Sequence, residues 1–381
     1  MTADELDEDW SVPETEVLHA IERTLDAGGG VLATIVGVEG NAYRRPGAKM
    51  VVSRSGVGVG SITAGCLEDE VRDIAAAVER EGENRVERFD LTAQDDVWGL
   101  GLGCNGVIDI LFEPIEEDYR QVVDAFHEGD DAVLCTVLAS DADEVPIGDR
   151  GLGVGRDPED AVDHDWPVWL REGLKTPLAA LLDSATSETV TVEHDGATVE
   201  VFIDVVTAPP KLLIFGTGHD VGPVTELGRL MDFDVTVVSF RGSQADPDRF
   251  PEADRVRSMS PPDIAEELPL DGDTYAVVMT HNFVDDRLTL EELFDTPVPY
   301  IGLMGPDERF QEMLKAFQDE GNPPKDTSLE SIYTPIGLDL GGGTPYQIAM
   351  SIVGEVQAVA SGREPKHLRE RAGPIHDRLD G

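Results

Sequence analysis

Residues 212–222 read LLIFGTGHDVG, an apolar strand that runs into a Gly-rich turn and then opens a helix. Gly216 and Gly218 allow a tight turn in which backbone approaches an anion closely, and the following helix start offers exposed N–H groups and the positive end of a dipole. The spacing is GxGxxxG through Gly222. Further apolar runs follow at Asp234–Val238, Tyr275–Thr280 and Tyr300–Leu303, with helical segments between several of them. This alternation predicts a doubly wound parallel sheet of Rossmann type. A closing helix is expected over Tyr346–Ala360, with Thr344 and Pro345 at its start and Ile348, Ile352, Val356 and Val359 on one face. Ligands of such sheets bind beyond the C-terminal strand ends. His219 in the first turn, and His281 after the strand YAVVMT, therefore fall on the binding rim together with Asn282, Asp285, Gly302 and Gly305. The second strand ends in Ser239, where an NAD site places an acidic residue for the ribose. Arg241, two residues on, is placed to hold an extra phosphate.

Upstream, the Ala208-Pro209-Pro210 stretch reads as a linker, and the pattern before it differs. A helix is expected over Ser11–Ala27 and ends at Gly28-Gly29-Gly30, ahead of a buried strand at Val31–Val38. Lys49–Ser53 and Val57–Ile62 form a hairpin, Leu67–Val78 a helix, and Arg85–Leu91 and Val107–Phe112 strands. A helix at Asp118–Glu128 precedes a strand at Ala132–Ala139. Residues 140–190 are acidic and weakly patterned, and no element is assigned there. Thr189–Glu193 and Thr198–Ile203 pair around Asp195-Gly196, a turn dipeptide that accepts positive φ. The domains are thus 12–207, mixed α/β, and 208–362, Rossmann-like, with a charged tail at 363–381.

The 381 residues carry 29 Lys and Arg against 77 Asp and Glu, a net charge of −48. That balance argues against nucleic acid and against an anionic membrane surface. Apolar runs are too short for a membrane span, and the N-terminus lacks the pattern of a signal peptide, so the expected setting is the cytoplasm. Only six basic residues are Lys. Acidic residues dispersed along a chain with 40% hydrophobic content suggest a folded protein of a high-salt cytoplasm.

In so acidic a chain, EGNAYRRPGAKM at 39–50 stands out, with Arg44, Arg45 and Lys49 within six residues. An anion site explains them, because arginine offers phosphate a planar fork of donors. In ITAGCLEDEV, Cys66 follows Gly65 at a helix start, where the dipole favours thiolate while Glu68 and Asp69 oppose it. In GLGLGCNG, Cys104 lies among glycines that let backbone wrap a ligand. Cys135, inside the strand VLCTV, reads as a core residue. CxxC, HExxH and EF-hand patterns are lacking, so a structural metal site is not expected.

Taken together, NAYRRPGAKMVV, GSITAGCLEDEV, GLGLGCNGVIDILFEP, LLIFGTGHD, VVMTHNFVDDRLTL, YIGLMGPDERF and GLDLGGGTPYQIAMSIVGEV resemble the XdhC/CoxI family, over about residues 12–361. The resemblance implies an N-terminal XdhC/CoxI domain and a C-terminal Rossmann domain. It implies an accessory factor for molybdenum hydroxylases of the xanthine dehydrogenase and carbon monoxide dehydrogenase type, one that binds the molybdenum cofactor (molybdopterin), protects it and delivers it to the apoenzyme. A cysteine desulfurase, which supplies the sulfido ligand, and a second copy in a homodimer are the other implied partners. The family's Gly-Gly-Cys-Leu-Glu cysteine falls on Cys66, its Gly-Leu-Gly-Cys cysteine on Cys104, and its Arg-Pro-Gly stretch on Arg45 to Met50. Ala64, Asn105 and Ser239 depart from its usual residues. On this reading Arg44, Arg45 and Lys49 hold the cofactor's phosphate. Cys66 and Cys104 lie at the metal, and Gly216, Gly218, His219 and His281 close over it, with no turnover of the protein's own. The alternative, from the Gly-rich turn and Arg241, is an NADP(H)-dependent oxidoreductase, and a nucleotide in the Rossmann domain is compatible with either.

Overall fold

In the computed structural model, residues 9–40, 42–91, 106–155, 157 and 165–370 are described. The chain divides into two compact units, Met1–Pro209 and Pro210–Gly381.

The first unit runs α1 (Glu14–Asp26), β1 (Gly30–Gly40), β2 (Lys49–Ser53), β3 (Gly58–Gly60), α2 (Glu68–Glu81), β4 (Arg85–Asp90), β5 (Gly106–Pro114), α3 (Tyr119–Glu128), β6 (Ala132–Ser140), β7 (Arg150–Val154), α4 (Val168–Ser184), β8 (Glu188–His194) and β9 (Ala197–Val206). Its strands form two antiparallel sheets, ordered β3-β2-β1-β5-β4 and β7-β6-β9-β8. Strand β1 reads as a continuous apolar run because both its faces are covered. Leu32 packs with Val17, Ile21 and Val122 of α1 and α3, whereas Val31, Ala33 and Ile35 pack with Val71, Ala75 and Val78 of α2. Helix α2 stops at Gly82, whose φ of 70° is the left-handed end that glycine accepts readily. The unassigned stretch 140–190 contains β7 and α4, and α4 lays Leu170, Leu174, Leu178 and Leu181 on Val192, Val199, Val201 and Ile203.

The two sheets of this unit are tied by buried charge. Lys49 on β2 donates to Asp204 on β9 at 2.8 Å, and Arg150 on β7 pairs with Glu113 on β5 and, at 2.5 Å, with Asp118. The Tyr119 hydroxyl also donates to Glu113. Burial raises the Glu113 carboxyl above its usual range, against the nearby Arg150 guanidinium.

The second unit runs β10 (Lys211–Phe215), α5 (Val221–Leu230), β11 (Asp234–Ser239), β12 (Arg255–Ser258), α6 (Ile264–Glu267), β13 (Thr274–Val278), α7 (Phe283–Leu293), β14 (Tyr300–Leu303), α8 (Asp307–Asp319), α9 (Asp326–Leu329), β15 (Ile332–Tyr333) and α10 (Pro345–Ala360). All six strands are parallel, in the order β12-β11-β10-β13-β14-β15. The order reverses beside β10, the topological switch point of a Rossmann sheet. Leu212 and Ile214 face α5 and α10, while Leu213 and Phe215 face α7 and α8, so the sheet is wound on both sides. Among the described residues no helix is long and apolar enough to cross a membrane.

Candidate functional site

One end of the five-stranded sheet gathers the chemistry of the first unit. Pairing of Thr34 with Lys49 and Met50 with Gly60 puts residues 42–48 and 61–67 at the same end of the sheet, where Gly40 also pairs with Gly106 and Asp90 with Val107. Val38, Ala42, Cys66 and Leu91 pack on one core cluster with Ile62 and Leu67. Residues 92–105, with Cys104, lie outside the described residues.

Cys66 is half-buried just ahead of α2. Its loop is held from within by Glu68, only 1% exposed. That carboxylate accepts from the Thr63 N–H at 2.8 Å, the Thr63 hydroxyl at 2.7 Å and the Leu67 N–H at 3.0 Å. The Thr63 oxygen in turn accepts the Cys66 N–H at 2.9 Å. Gly65 supplies the positive φ, 101°, that closes the loop. Read from sequence, Glu68 opposes a thiolate. In the structure it satisfies backbone donors that burial would otherwise leave unpaired.

The three cations part company. Arg44 ion-pairs with Glu14 and reaches the Ser61 hydroxyl at 3.4 Å, which ties residues 42–48 to the Cys66 loop. Arg45 has a buried Nε without an acceptor, and among the described residues no side chain bonds its guanidinium. Lys49 corrects the sequence reading. It is 7% exposed and donates at 2.8 Å to both Asp204 and the Gly47 carbonyl. An ammonium inside the fold needs such a partner, so Lys49 is turned into the protein and not toward a ligand. Cys135 lies in the core, and burial, with the Asp204 charge adding, pushes its thiol up to about 12.

The second unit presents its own rim at the C-terminal ends of β10, β11 and β13. Gly216 has φ 148°, and a Cβ there would lie 2.5 Å from the Met279 carbonyl, so glycine is needed where the turn crosses β13. A Cβ on Gly218 would meet Asp220 Oδ1 at 2.4 Å. Asp220 Oδ2 is 2.9 Å from His281 Nε2, and His281 holds a φ of 58°, in the left-handed region that non-glycine residues seldom adopt. His219 is exposed on the same rim. Behind it, Asp286 is fully buried, accepts the Thr280 hydroxyl at 2.5 Å and pairs with Arg309, and burial raises its carboxyl. Among the described residues no group of three or more His, Cys, Asp or Glu is placed to hold a metal ion. Sequence reasoning passed over Thr63, Asp204 and Asp220. Only Thr63, five residues before an acid at a helix start, had a local signal.

A mixed α/β unit followed by a Rossmann unit with a Gly-rich switch-point turn defines the class of protein. The family described as "XdhC and CoxI family" matches residues 25–90, and that described as "XdhC Rossmann domain" matches residues 212–356. The chain is 30% identical over 332 residues to a probable xanthine dehydrogenase subunit of Bacillus subtilis (strain 168), covering 86% of this chain and 92% of that protein. It is 26% identical over 165 residues to the uncharacterized protein YqeB of Escherichia coli (strain K12), covering 43% of this chain and 30% of that one. A crystal structure from Bacillus halodurans, described as a xanthine dehydrogenase, superposes with a TM-score of 0.71 at 27% identity, covering 93% of this chain and 97% of the other. The chain belongs to the XdhC and CoxI family of xanthine dehydrogenase accessory factors.

Proposed function

We propose that the protein is a carrier for the molybdenum cofactor, which it holds as cargo, shields during sulfuration by a cysteine desulfurase, and passes to an apoenzyme of the xanthine dehydrogenase type. The observation that carries this reading is the Arg45 guanidinium. It lacks a protein partner among the described residues in a chain with 77 acidic residues, and it sits in a loop tied through Arg44 and Ser61 to the loop of Cys66. Leaving a cation unpaired amid so many carboxylates suits an arginine kept for an external anion. In this reading Arg45 takes the cargo's phosphate, and Arg44 joins it by giving up Ser61. Cys66 offers a soft sulfur to the metal. The Thr63–Glu68 clamp holds that thiol at the rim. No turnover is assigned to the protein, and a homodimer in the cytoplasm is the state in which it acts.

Anaerobic titration of the protein with released cofactor tests this. Loss of a charge-assisted bond to phosphate makes Arg45→Ala weaker by at least about tenfold. Cys66→Ser weakens binding as well. Both variants binding as tightly as the parent would overturn the reading.

A further inference from the structure

The Rossmann rim carries an arrangement that the cargo reading leaves unused. Strand β10 lies between β11 and β13. At the end of β11, Ser239 is buried, donates to the Arg241 carbonyl at 2.8 Å and accepts the Arg241 N–H at 3.2 Å. Ser239 thus faces backbone and fixes where Arg241 leaves the strand. The Arg241 side chain is half-exposed and its Nη1 meets Asp285 Oδ2 at 2.8 Å, in the first turn of α7 beyond β13. The pair therefore joins the segments that flank β10 and crosses the C-terminal end of that strand, where the Gly216–Gly218 turn begins. Arg249 also bonds the Thr217 carbonyl of this turn at 2.7 Å, and Thr217 donates to Gln244 at 2.7 Å.

In sheets of this order, a carboxylate at the end of the second strand receives a plain ribose, whereas an arginine nearby accommodates a ribose phosphate. Here the carboxylate is replaced by Ser239 and the arginine is present. Asp285 supplies a tethered anion to that arginine. Asp220 at the start of α5 is engaged by His281, so discrimination among ligands falls to Arg241.

We propose that this crevice binds a nucleotide bearing a phosphate monoester on its ribose, with Arg241 as the phosphate-binding residue and Asp285 as an internal stand-in that the phosphate displaces. The proposal does not depend on the cargo reading.

Titration of the full-length protein at fixed salt with NADPH, NADH and inorganic phosphate tests it. NADPH binds at least about tenfold tighter than NADH, as one charge-assisted contact requires. Arg241→Ala removes that difference, and Asp285→Asn, which ends the internal competition, tightens NADPH several-fold and leaves NADH unchanged. Thermal melts of the variants confirm folding, while the NADPH–NADH comparison on the parent protein needs no variant. Equal affinities for the two dinucleotides, or no NADPH binding at about 1 mM, overturn the proposal. An Asp285→Asn effect seen with inorganic phosphate but not with NADPH also overturns it, since the site would then take free phosphate only.

Discussion

Replacement of Lys49 by Met leaves the Asp204 carboxylate inside the first unit without its cation. The two side chains are 9% and 5% exposed, so solvent does little to compensate. Removing one member of a buried pair costs about 3–5 kcal/mol. Among the described residues Asp204 then keeps only the Ser187 hydroxyl, at 3.1 Å, and its charge already acts on Glu113, so the cost falls in the upper part of that range. Asp204→Leu costs a similar amount by stranding the ammonium on the Gly47 carbonyl. The double variant Lys49→Met, Asp204→Leu stays within about 1 kcal/mol of the parent, because apolar side chains of similar volume replace a buried pair at little cost. Denaturant unfolding at constant salt, followed by circular dichroism and tryptophan fluorescence, measures all three and gives a coupling energy of a few kcal/mol. Cofactor binding by the folded double variant equals that of the parent. A Lys49→Met protein of parental stability that has lost cofactor affinity would refute this structural assignment and return Lys49 to the ligand.

Other outcomes follow from the same contacts. Iodoacetamide at pH 8 labels Cys66 in the native protein and leaves Cys135 unlabelled until denaturant is added, since burial pushes the Cys135 thiol up to about 12; peptide mass spectrometry reads this, and equal labelling rates would contradict the burial. Glu68→Ala leaves the Thr63 N–H without an acceptor and the Leu67 N–H with only the Thr63 hydroxyl at 3.3 Å, and lowers stability by about 1–3 kcal/mol, while raising the rate at which Cys66 is alkylated. A net charge of −48 makes the fold salt-dependent, so the melting temperature falls by several degrees or more between molar salt and dilute buffer; an unchanged value would contradict the high-salt reading.

The Rossmann unit was legible because its elements are local. The run into Gly216 and the Thr344-Pro345 helix start each lie within a dozen residues, and each parallel strand is a short run of its own, six residues at most. The β8–β9 turn was legible for the same reason, with Asp195 at φ 48° and Gly196 at φ 88° as the dipeptide demands. Helix α4 was not, because Pro177 in its middle reads as a stop although the leucines around it keep helical spacing. The site was legible in residue type and not in pairing. Lys49 reads as part of a cationic loop, and the partner that removes it from the surface is 155 residues away. Likewise, nothing near Arg241 announces Asp285, 44 residues on. Glu68 reads as surface charge because helix first turns are usually exposed, whereas the Thr63 loop folds over it.

The central claim is that the Arg45 and Cys66 loops hold a phosphorylated molybdenum–pterin cargo. Elemental analysis of the protein purified without oxygen from its own host measures this directly. Molybdenum and phosphorus are expected together, in a fixed ratio and near stoichiometric with the chain, both lost in Arg45→Ala purified the same way. Protein that carries neither element, or an Arg45→Ala variant that retains both, would contradict it.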